Sequence, residues 1–67
     1  MNSQDMSQFG KQIKEAREKL NLTQAEVAEK ADITVNYFAM IERGEVNPSY
    51  EKLKSIARVL KMKITIS

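Results

Sequence analysis

The chain has 67 residues, enough for one domain with one small core and no room for a second. It contains no cysteine and no histidine, which removes disulfides, thiolate or imidazole metal sites and the usual general base, so zinc fingers are excluded and no cofactor is implied. The net charge of +2 is unevenly spread: residues 1–42 carry five basic and seven acidic side chains, residues 43–67 six basic and two acidic, and such a basic end suits an anionic partner.

The start, Met1 to Gln8, has neither a basic region nor an apolar stretch, and no run approaches the roughly 20 residues of a membrane span, so the expected location is the cytoplasm. Met6, Phe9, Ile13, Ala16 and Leu20 then recur at steps of three and four, which predicts a first helix over about 6–20. Asn21, which tolerates the left-handed conformation, ends it. Thr23 and Glu26 have the spacing of a capping box, and the second helix runs from there to about Ala31 with Val27, Ala28 and Ala31 facing inward. Thr34 is the next N-cap, and Phe38 and Ile41 share one face of a third helix over about 34–43.

Gly44 suits the end of that helix, Asn47-Pro48-Ser49 is a turn, and Ser49 is the N-cap of a fourth helix whose apolar stripe is Tyr50, Leu53, Ile56, Ala57 and Leu60. From Met62 onward the period changes to two, because Met62, Ile64 and Ile66 alternate with Lys63, Thr65 and Ser67. The pattern predicts a short strand over 62–67 that pairs with a second copy of the chain, since one strand alone leaves its backbone groups without partners. The expected fold is therefore all-α, one domain over 1–67 with four helices, a helix-turn-helix at about 23–43 and a short C-terminal β-strand.

The stretch from Gln24 through Ala28, Ile33, Phe38, Ile41 and Glu42, followed by Arg43-Gly44 and Asn47-Pro48-Ser49, resembles the XRE-type helix-turn-helix family of lambdoid phage repressors and Cro, over about Phe9 to Leu60. Asp32 departs from the family, which usually has glycine in a left-handed turn there, but aspartate tolerates that conformation and the turn is expected to survive. The resemblance implies binding of double-stranded DNA, with the third helix in the major groove and its first residues at the base edges. It assigns phosphate contact to Gln24, where a helix N-terminus favours an anion, with Tyr37, Arg43 and Asn47 as the other candidates. It also implies an ion pair between Arg17 and Glu42 that links the first helix to the end of the third.

The residues agree with that assignment. Val35, Asn36, Ala39, Met40 and Arg43 lie opposite Phe38 and Ile41, and a face with three apolar side chains and a short amide is a poor solvent face. The base contacts are accordingly given to Thr34, Val35, Asn36, Ala39 and Met40: the Asn36 amide can select adenine through paired hydrogen bonds, and the apolar side chains can pack on thymine methyls, which together favour an A/T-rich target. The acids Glu15, Glu18, Glu26 and Glu29 fall at the spacing of a solvated helix face, and no histidine can activate a serine or threonine, so neither an enzyme nor a metal site is expected.

The function that follows is a sequence-specific regulator, a repressor acting as a homodimer on an inverted repeat, with Met62, Ile64 and Ile66 as its dimerisation residues. Three alternatives stand beside it. The chain could control a restriction-modification operon, or serve as the antitoxin of a toxin-antitoxin pair with a toxin as second partner. It could also be a protein interaction module that has lost DNA binding.

Overall fold

A computed structural model describes residues 3–62, with side chains from Gln8 onward. Four helices follow in order: α1 Ser3–Lys19, α2 Gln24–Lys30, α3 Val35–Glu42 and α4 Tyr50–Val59. No strand occurs among the described residues, and no helix there is long and apolar enough to cross a membrane. Of the proposed strand only Met62 falls within them, half-buried against the core, while Ile64 and Ile66 lie outside the described residues.

Each of the last three helices starts on a hydroxyl. Thr23, Thr34 and Ser49 sit in extended backbone and accept the N–H of Glu26, Tyr37 and Lys52 at 3.0, 3.0 and 3.2 Å, each filling one of the donors that a helix start leaves open. At α2 the box is closed from both sides, since the Thr23 N–H donates to Glu26 Oε1 at 2.8 Å. That backbone bond, helped by the Thr23 hydroxyl, holds the exposed Glu26 carboxyl below the usual carboxylate range. Its contribution is therefore present at neutral pH and lost as pH falls through the lowered value.

All four helices end alike. The residues at the turn, Asn21, Asp32, Gly44 and Lys61, have φ of 57, 59, 74 and 57°. Each donates its N–H to the carbonyl three residues back, and the next residue, Leu22, Ile33, Glu45 or Met62, donates to the carbonyl five back at 2.9–3.2 Å. Asp32 thus takes the left-handed turn. Lys61 does so without any turn-forming chemistry, because the bond from Met62 N–H to Ala57 C=O and the seating of Met62 on the core fix it there.

The core is Ile13 from α1, Val27 and Ala28 from α2 with its C-cap Ala31, Phe38 and Ile41 from α3, and Ile56 from α4 with its C-cap Leu60. Phe9, Ala16, Leu20, Leu22, Ile33, Tyr37, Val46 and Val59 pack half-buried around it. Two expectations are corrected. The first helix begins at Ser3, ahead of Met6, because a helix can extend through polar residues that carry no apolar period. Tyr50 does not join the stripe of α4. It is 52% exposed at the first position of the helix, where its ring lies under the Lys54 ammonium at 5.3 Å.

Small residues let the helices close up. Ala28 on α2 and Ala31 at its C-cap are almost fully buried, and Gly10 of α1 crosses α3 so closely that a Cβ there would sit 2.5 Å from the carbonyl oxygens of both Ile41 and Glu42.

Candidate nucleic-acid interface

The candidate site stands on α3, and the angle of that helix follows from what it buries. Phe38, Ile41 and Glu42 are buried, so at 3.6 residues per turn Val35, Ala39, Arg43, Asn36 and Met40 fill an outward arc of roughly 140°. Along it Val35, at 47% exposure, Asn36 and Arg43 are open to solvent, and Ala39 and Met40 are half-buried. The Asn36 amide rests against Met40 Sδ at 3.6 Å, a contact weak enough for a base edge to displace. Thr34 spends its acceptor on the Tyr37 N–H, and its hydroxyl proton is free to turn outward.

The end of α3 is held by one buried charge. Glu42 is 9% exposed and takes three donors: Arg17 Nε at 2.7 Å, Arg17 Nη2 at 3.3 Å and Gln24 Nε2 at 2.8 Å. Arg17 also donates through Nη1 to Leu22 C=O at 2.9 Å, so one guanidinium ties α1, the loop before α2 and the end of α3. Glu42 keeps that guanidinium more firmly protonated than usual. Among the described residues no buried side-chain nitrogen or oxygen lacks a partner, which is what a rigid scaffold needs.

The four residues assigned to phosphate are differently placed. Gln24 opens α2 half-buried, with its amide already given to Glu42. Tyr37 is half-buried against the core, beside Lys52 in a shallow depression also lined by Asp32, Ile33 and Thr34, and Asn47 is exposed between α3 and α4. Arg43, the cap residue of α3, is held by Glu45: Nε donates to Oε2 at 2.8 Å and Nη2 to Oε1 at 3.0 Å. The pair raises the Arg43 pKa and lowers that of Glu45.

Sequence reasoning passed over two of these features. Glu45 reads as one more solvated acid, and only its place after a left-handed glycine shows that it folds back on Arg43. Gly10 does carry a signal, since a lone glycine inside a helical pattern weakens the helix unless something packs against it.

A helix-turn-helix family model matches residues 13–66. The immunity repressor protein of Bacillus phage phi105 is 39% identical over 56 residues, 84% of this chain and 39% of the repressor, so the chain spans well under half of that relative. An uncharacterized HTH-type transcriptional regulator of Archaeoglobus fulgidus is 40% identical over 52 residues, 78% of this chain and 73% of the regulator. Among solved structures, the restriction-modification controller protein C.AhdI from Aeromonas hydrophila superposes with a TM-score of 0.85 at 27% identity, covering 88% of this chain and 89% of that one.

Proposed function

This chain belongs to the XRE-type helix-turn-helix family, and we propose that it is a transcriptional regulator that represses by binding operator DNA. The observation that carries the reading is the outward arc of α3. A helix fixed at its start by Thr34 and at its end by the Glu42 network presents Val35, Asn36, Ala39 and Met40 where a solvated helix would present lysines and glutamates. Those side chains match what the major groove offers at A·T pairs, an adenine edge and thymine methyls. The relatives support the class, as a repressor, a transcriptional regulator and a controller protein.

An eight-residue helix is about 12 Å long and spans roughly four base pairs, one half-site. We propose a homodimer on an inverted repeat, with half-sites about 34 Å apart, in place of a monomer on a single site. Fluorescence anisotropy with a duplex from the protein's own upstream region, against a shuffled duplex of equal length, tests the reading across a salt series. The expected result is tighter binding to the upstream duplex by at least about a thousandfold, with affinity for both falling as salt rises. No binding to either duplex at low salt would sink it and turn attention to Val35, Tyr37 and Met40 as a protein-binding face for a toxin or another partner.

A further inference from the structure

We propose that Glu45 is an internal competitor for Arg43, a carboxylate that occupies the guanidinium at the end of α3 and so weakens the grip of the protein on every duplex. The inference rests on the DNA-binding reading above and names a residue that tunes it.

Four observations converge on this pair. Arg43 falls in the middle of the outward arc of α3, the side on which a polyanion would arrive, and it is the only cation on that arc. Its Nε and Nη2 are both engaged by Glu45, at 2.8 and 3.0 Å, in the two-point geometry that arginine forms with carboxylates and phosphates alike. Gly44, at φ 74°, turns the chain so that a residue only two positions on can reach back. Finally, Glu45 breaks the pattern of the other helix ends. In the equivalent place α1, α2 and α4 put Leu22, Ile33 and Met62, each packed on the core, whereas α3 puts an exposed carboxylate that grips the arginine.

The pair does little for the fold. Both side chains are about half exposed, at 54% and 51%, and ion pairs of that kind contribute little to stability. Its consequence lies in binding. A phosphate that approaches Arg43 meets a neutral pair in place of a cation, and must either displace the carboxylate or accept it as a close neighbour. Because affinity for duplexes follows the number of phosphates neutralised, Glu45 lowers binding to specific and non-specific sites by the same factor and leaves base preference alone.

Four proteins test this: the wild type, Glu45→Gln, Arg43→Ala and the double variant, titrated by anisotropy against the upstream and shuffled duplexes from 50 to 200 mM salt. Glu45→Gln is expected to bind both duplexes about three- to fivefold tighter at 50 mM salt, with the slope of log affinity against log salt steeper by up to one unit. In the Arg43→Ala background the same change is expected to give less than about twofold. Circular dichroism melts of Glu45→Gln should match the wild type, which separates the effect from folding. An equal gain in both backgrounds would show that Glu45 acts as a diffuse negative charge and overturn the proposal, and so would no gain with wild-type binding intact. Loss of duplex binding in all four proteins would instead overturn the DNA-binding reading, and this proposal with it.

Discussion

Asn36 is the one side chain on the outward arc of α3 with both a donor and an acceptor to present to a base. Its substitution by alanine is expected to cost about 1 to 3 kcal/mol on the preferred operator and to relax a single base position, because a bidentate amide–adenine contact is lost while phosphate contacts remain. Selection of binding sites from a random pool would decide it: an unchanged preference at every position in Asn36→Ala removes base reading from this residue. Gly10 matters for the opposite reason, the space it leaves. With alanine there, a methyl must fit where the Ile41 and Glu42 carbonyls stand 2.5 Å away. The better helix propensity of alanine returns only about 1 kcal/mol, and the overpacking costs about 1 to 3 kcal/mol. Since those carbonyls end α3, the backbone shift also tilts the helix that bears Asn36. Urea unfolding of Gly10→Ala is therefore expected to show a net loss of stability, and a midpoint above the wild type would mean that the two backbones can part without harm.

The helices owe their positions to different kinds of signal, and the kinds were not equally legible. Thr23, Thr34 and Ser49 declare their helices in the sequence because the cap works within three residues, and Asn21 and Gly44 declare endings because their backbones favour φ > 0. Lys61 takes the same conformation with no such preference, so that ending was invisible without the bond that Met62 makes to Ala57. The contact of Gly10 with α3 spans more than 30 positions, and no local pattern encodes a crossing of that kind. The outward arc of α3 was readable from periodicity alone, whereas the Arg17–Glu42 positions came from resemblance, and their pairing with Gln24 as a third member came only from the structure. That network has a test of its own. The side chains of Arg17 and Glu42 are only 12% and 4% exposed, so each partner left alone is a costly buried charge. A double-mutant cycle on Arg17→Met and Glu42→Gln, followed by urea unfolding, is expected to give a coupling energy of about 1 to 3 kcal/mol. Additive losses would mean that α1 and α3 are joined by packing and not by the ion pair.

On the proposed reading, a domain this small contacts only one half-site, and regulation would depend on how two copies meet. The alternation of Met62, Ile64 and Ile66 with Lys63, Thr65 and Ser67 has the period of a strand and not that of a helix. A strand needs a partner for its backbone groups, and we propose that a second copy running antiparallel about a two-fold axis supplies it, which would put the three apolar side chains of each on a common side and Lys63 on the other. Met62, the last of the described residues, packs half-buried against the core. Deleting Lys63 to Ser67 is then expected to turn a dimer into a monomer in sedimentation equilibrium. The shortened protein should bind a full inverted repeat far more weakly while a single half-site is held about as well as before, since the helices that carry Asn36 and Arg43 are untouched. If it still sedimented as a dimer, the interface would have to lie elsewhere, on the solvent side of α4 around Arg58 and Lys61, both exposed. Charge reversal at those two positions would then be the change that separates the copies.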